Sequence, residues 1–139
     1  FRFLLNLFHA AERAPSAGGP LGSDWREALP DWLSEALRKF SRNPDLLVGG
    51  TRALASLTGR SPEHVSRTLR QATGLTPREW VTRQRLHHAT TQLRTTNRKV
   101  LDISMECGFE SLGHFYRLFT REYRVPPADY RRQNRTGAI

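Results

Sequence analysis

Apolar residues recur at helical spacing along most of this chain, and no stretch alternates with the period of two that a half-buried strand needs. Residues 1–13 place Phe1, Leu4, Leu5 and Phe8 at i, i+3, i+4 and i+7, the stripe of an amphipathic helix. The segment from Ala14 to Asp24 is rich in Gly, Pro and Ser and reads as a flexible linker, carried here to residue 29. The first helix therefore either belongs to a preceding domain or docks on the rest of the chain. From Asp31 to Ser41 a second stripe sets Trp32, Leu33, Ala36, Leu37 and Phe40 on one face. A short helix over 50–57 and a turn at Gly59-Arg60-Ser61 come next.

Start and stop signals are unusually clear after that turn. Ser61 is an N-cap with Pro62 at the first helical position, and Gly74 ends the helix that follows. Thr76-Pro77-Arg78-Glu79 is a capping box with a proline inside it, opening a long helix over 77–95. A short helix from Lys99 to Cys107, a Gly108-Phe109-Glu110 turn and a helix capped by Ser111 follow. A last short helix starts near Pro127 and fades after Arg132.

Laid end to end, these elements repeat at an offset of 50 residues. Ser61 returns as Ser111, His64 as His114, Arg67 as Arg117 and Pro77 as Pro127. Apolar positions follow suit, Val65 against Phe115 and Leu69 against Phe119, while Leu54 meets Ile103 at 49 because the second turn is one residue longer. Chance could supply the apolar matches between two amphipathic helices, but not both caps, both arginines and both prolines. Each copy reads as short helix, glycine turn and capped helix, which is a helix-turn-helix. The fold expected is all-α, with about seven helices forming two helix-turn-helix subdomains, 50–74 and 99–123, joined by the long helix 77–95.

Charge sharpens this picture. Basic residues outnumber acidic ones 22 to 13, for a net charge of +9, and Lys39 and Lys99 are the only lysines. Arginine's planar fork suits phosphates and the guanine O6/N7 edge better than an ammonium does. Cys107 is alone, which excludes an intramolecular disulfide and a cysteine zinc cluster and fits a reducing cytosol. No apolar run is long enough to span a membrane, so no membrane partner is expected.

In a helix-turn-helix the second helix enters the major groove. On the first such helix Glu63, Ser66, Arg67 and Arg70 form one stripe, with Val65, Leu69 and Ala72 opposite. On the second, Gly113, His114, Arg117, Thr120 and Arg121 lie on one side and Leu112, Phe115, Phe119 and Tyr123 on the other. The base-reading candidates are Glu63, Ser66, Arg67, Gly113, His114 and Arg117, with the two arginines foremost because each can bond guanine bidentately. A phosphate contact or an internal salt bridge is the competing role for either arginine. Glu63 could accept from cytosine N4 or merely favour its helix dipole. His64 and His114 could simply pack beside their turns. Phosphate grip is expected from the caps Ser61 and Ser111 with Arg60, Arg70, Arg98, Lys99 and Arg121.

These residues resemble the DNA-binding domain of the AraC/XylS family of bacterial regulators, over about Trp32 to Arg132. The most specific part is ISMECGFESLGHFYRLFTREYRVPPADY, Ile103 to Tyr130, and LASLTGRSPEHVSRTLRQATGLTPREW matches the corresponding first half. Within the family, the PDWL opening and the HFYRLF helix are similar to chitobiose-type carbohydrate regulators. The resemblance implies an AraC-type domain over 30–133, a tail at 134–139, and groove-facing arginines at Arg67 and Arg117. It also implies a separate N-terminal sensing and dimerising domain, of which 1–13 would be the terminal helix, binding an effector such as a sugar. The expected partners are an operator in double-stranded DNA and, in an activator, RNA polymerase; no cofactor is expected. The sequence departs from the family at Arg124, where Gly is frequent, at Ser104 for Ala, and at Thr120 for a basic residue.

Other classes fit less well. DNA-repair alkyltransferases carry a similar domain, but their cysteine set is absent. The five histidines make no metal spacing with acidic partners, and no phosphate-binding loop or dinucleotide fingerprint occurs, so no enzyme is expected. A helical module that binds an acidic protein remains the third reading.

Overall fold

The computed structural model describes residues 28–135, and the expected helix at 1–13 and most of the linker lie outside them. Among the described residues there are seven helices: α1 (Asp31–Arg42), α2 (Leu46–Thr58), α3 (Pro62–Thr73), α4 (Pro77–Thr95), α5 (Val100–Glu106), α6 (Leu112–Tyr123) and α7 (Pro127–Asn134). The local signals act as their chemistry requires. Ser61 and Ser111 each accept the backbone N–H three residues on, at 3.2 and 3.0 Å. Thr76 and Glu79 satisfy each other's backbone donors reciprocally, which starts α4 sharply after a β-region residue.

Two separate cores result. The first packs Leu33, Leu37, Phe40, Leu54, Val65 and Leu69 around Trp80, whose ring meets Phe40 edge-on at 5.4 Å. The second is aromatic: Phe115 and Phe119 pack with Phe109, Ile103 and Leu93, and Tyr123 and Tyr130 close over Phe119. Helix α4 serves both, giving Trp80 and Val81 to one and Leu86, Ala89 and Leu93 to the other. Its buried residues therefore change face along its length, as a rod between two domains must. Polar ties fix its flanks. Ser41 donates to Gln84 at 3.1 Å, and Arg131 of α7 donates to the Leu93 carbonyl at 3.1 Å.

Four expectations need correction. The first short helix begins at Leu46 rather than 50, because a helical turn precedes a break at Gly50 (φ 60°, ψ −140°), a conformation that glycine tolerates. Helix α5 begins at Val100, with Lys99 as its extended N-cap. Leu29, placed in the linker by composition, is buried in the first core. Leu112, assigned to the core side, is exposed, because the first position of α6 lies ahead of the turn that meets the core.

Candidate nucleic-acid interface

Each unit enters its second helix through a glycine at positive φ followed by a serine cap. In the first unit the turn Thr58-Gly59-Arg60 is held by the Thr58 hydroxyl, which accepts from the Arg60 N–H at 3.0 Å, and Gly59 takes φ 67°. Helix α1 then braces the turn from outside. The Trp32 ring stacks on His64 at 5.1 Å and carries the Arg60 guanidinium 4.7 Å from its centre. His64 is half-buried in this stack, and Arg60 stays exposed. Trp32 entered the sequence reading only as an apolar stripe residue; its contact with the turn depends on tertiary packing that no local pattern encodes.

Beyond the brace, Glu63, Ser66, Arg67 and Arg70 line one shallow depression along α3, together with Pro62 and Gln71. Glu63, Arg67 and Arg70 are exposed and Ser66 is partly so. The side chains of Arg67 and Arg70 make no hydrogen bond or ion pair among the described residues, so both guanidinium groups are available to a ligand.

The second unit differs in detail. Arg117 is exposed, but its Nη2 sits 2.7 Å from Nδ1 of His114. His114 in turn meets the Phe109 ring edge-on at 6.3 Å, so histidine, arginine and turn form one chain of contacts. Gly113 is exposed, and a Cβ there would meet nothing nearer than the Ser111 Oγ at 4.0 Å. Helix α6 is tied to the rod by Arg83 and Glu122, an ion pair of 3.2 Å with both side chains nearly buried. Because desolvation offsets most of such a pair's attraction, it adds little net stability, although removing one partner would leave the other charge buried.

The remaining candidates are spread over the same molecule. Lys99 is exposed at the start of α5, whereas Arg98 pairs with Glu106 along the length of α5 and its carbonyl accepts from Arg131 at 2.6 Å. Arg121 lines a groove between α4 and α6 with Arg78, Thr82 and His114. Arg78 was not among the sequence candidates. It is exposed, and it also lines a groove against Arg52, Arg60 and Ser66 of the first unit, so it lies between the two capped helices. The missed signal was its place at the head of the rod, just after Pro77.

Two half-cores, two capped helices with polar outer faces and one connecting rod define a double helix-turn-helix DNA-binding domain. The helix-turn-helix domain profile matches residues 54–133, and the chain belongs to that family, of the AraC/XylS type. It is similar to the HTH-type transcriptional activator RhaR of Klebsiella pneumoniae, 34% identical over 81% of this chain and 39% of that protein. It is also similar to the HTH-type transcriptional activator RhaS of Escherichia coli, 41% identical over 63% of this chain and 31% of that protein. The chain thus spans under two fifths of the length of these relatives. Among solved structures the fold matches the C-terminal domain of AraT, a response regulator from Geobacillus stearothermophilus, with a TM-score of 0.67 at 21% identity, over 80% of this chain and 92% of that one. The xylose-binding transcription activator xylR matches with a TM-score of 0.66 at 22% identity, over 77% of this chain and 28% of that one. The chain accordingly carries a DNA-binding domain of the kind that these transcriptional activators contain.

Proposed function

We propose that this domain reads double-stranded DNA by setting α3 and α6 into successive major grooves on one face of the duplex. The observation that carries the reading is the pair of exposed arginines, Arg67 and Arg117, at matched positions on two capped helices attached to one 19-residue rod. A helix of that length spans about 28 Å at 1.5 Å per residue. Successive major grooves lie about 34 Å apart, so one rod serves both.

In this reading Arg67 and Arg117 bond base edges, with Glu63, Ser66 and His114 beside them, and Gly113 lets the α6 backbone approach closely. Arg60, Arg70, Arg78, Lys99 and Arg121 grip phosphates, together with the helix starts at Ser61 and Ser111. Arg98, already paired with Glu106, is the weakest member of that set. The domain runs over 30–133, and its Cys107 does not serve as a nucleophile: burial pushes the thiol up to about 12, the reverse of an activated one. The whole regulator works in the cytoplasm, with a sensing domain ahead of this one that binds an effector, a sugar as in the xylose-binding neighbour xylR. An activator of this build also touches RNA polymerase.

The test is selection of bound duplexes from a random pool, followed by titration of variants against competitor DNA. Arg67→Ala and Arg117→Ala should each lose about 1–3 kcal/mol of discrimination at the base they read. Lys99→Ala should weaken all sequences alike and reduce the log–log salt slope by about 0.9. Equal loss on selected and random DNA for both arginine variants refutes base reading. A salt slope near zero refutes DNA binding in favour of a protein partner.

A further inference from the structure

Near the midpoint of α4 one arginine reaches both units at once. The Arg85 Nε donates to the Leu47 carbonyl at 2.9 Å, and its Nη2 lies 3.5 Å from the Val48 carbonyl. These carbonyls belong to the short turn that ends at the Gly50 break, where a helix end leaves acceptors without their usual donors. The guanidinium is pressed between two glycines from different units. A Cβ at Gly50 would come 2.9 Å from Arg85 Nη2, and one at Gly108 would come 2.8 Å from Arg85 Nε and 2.9 Å from the Leu47 carbonyl oxygen. Gly108 is the turn glycine of the second unit, whereas Leu47 and Gly50 belong to the first. Two segments remote in sequence, 47–50 and the turn at Gly108, therefore converge on a single half-buried side chain.

The repeat supplies its own control. Gly59 occupies the matching place in the first unit's turn, also at positive φ, and a Cβ there would meet nothing within 4 Å. Backbone conformation alone calls for glycine at 59. At 108 the space is also taken, by Arg85 and by the opposite unit's backbone.

We propose that Arg85, seated between Gly50 and Gly108, is the positioning residue that holds the two helix-turn-helix units at one mutual angle, so that a single duplex meets both recognition helices. This rests on the two-groove reading above. Each unit has its own core, so loosening the seat leaves both folded. What is lost is the advantage of a second contact already in place, which falls when the link no longer presents it in register.

Two measurements on the full chain separate this from a merely structural role. Spin labels at Arg38→Cys and Asp102→Cys, both exposed and on different units, report the angle as a distance distribution, while Cys107 is buried away from the label. The distribution should be narrow in the parent, broad in Arg85→Ala, shifted in Gly108→Ala and unchanged in Gly59→Ala. Arg85→Lys, with a single charged centre, should recover only part of the order. In parallel, affinity is read on a duplex from the random-pool selection and on the same duplex with one of its two segments scrambled. Arg85→Ala should lose tenfold or more on the intact duplex and less than twofold on the scrambled one. A distribution as narrow in Arg85→Ala as in the parent overturns the proposal, as does a broad one with the preference for two segments intact. Broadening in Arg85→Ala, with a parent that gains nothing from the second segment, upholds the seat and overturns the two-groove reading instead.

Discussion

Arg124 closes α6 in the left-handed region, at φ 69° and ψ 7°, and is the one non-glycine residue with positive φ among those described. Gly74 closes α3 in the same way at φ 78° and ψ −2°. Both cap N–H groups donate to the carbonyl four residues back, Arg124 to Thr120 at 2.8 Å and Gly74 to Arg70 at 2.9 Å. The left-handed conformation costs an L-residue roughly 1–2 kcal/mol that glycine does not incur. Glycine's greater freedom in the unfolded chain takes back about 0.4–1 kcal/mol. Arg124 is exposed and makes no side-chain hydrogen bond or ion pair among the described residues, so nothing else is lost. Arg124→Gly should therefore stabilise the domain by about 0.5–1 kcal/mol, which for a domain near 100 residues raises Tm by about 2–5 °C. The reciprocal Gly74→Arg has open space around it and should lower stability by a similar amount through backbone strain alone. Thermal melts followed by far-ultraviolet circular dichroism measure both. An unchanged or lower Tm for Arg124→Gly would show that the side chain contributes native interactions outweighing its strain. A Gly74→Arg variant as stable as the parent would sink the strain argument itself.

Gly113 and Cys107 give two further tests. Gly113→Ala meets no obstacle within the protein and replaces a poor helix former, so it should add up to about 1 kcal/mol of stability while weakening DNA binding several-fold; unchanged binding would show that the α6 backbone stays clear of the duplex. Burial raises the Cys107 thiol from 9.0 to about 12, so the folded chain holds this proton where the unfolded chain releases it. Its stabilising contribution is complete below pH 9 and is lost as pH rises from 9 towards 12. Cys107→Ser should flatten that part of the stability–pH curve, and rapid alkylation of the folded thiol at pH 8 would contradict its burial.

What could be read in the sequence was what the backbone demands locally. The serine caps, the Thr76–Glu79 box, Gly59, Gly74 and Gly108 each answer to a neighbour within four residues, and the repeat made them conspicuous twice over. What escaped notice depends on distant partners. Arg85 looks like any basic residue of a polar helix, because its acceptors are carbonyls 37 and 38 residues away. Arg83 and Glu122 are 39 apart, and no spacing rule pairs them. Leu112 was misjudged because periodicity assigns a face to every position of a helix, while the first turn of α6 lies ahead of the core it would have to reach.

The same contrast between shared backbone and divergent side chains bears on the DNA this chain selects. A symmetric dimer reads a palindrome because its two recognition surfaces are identical. Here the two surfaces sit on one chain and are unlike. Helix α3 offers a carboxylate, a hydroxyl and two guanidinium groups free of internal partners, whereas α6 offers a bare glycine and an arginine engaged by His114. One chain should therefore select two different segments about 10 base pairs apart, in a fixed order and orientation. The α3 segment should be the better defined, since Arg117 must exchange its histidine contact for a base. Selection with the Arg67→Ala chain should erase one segment and leave the other. Recovery of a single segment by a monomeric chain would mean that one helix does the reading and that the repeat serves the fold alone.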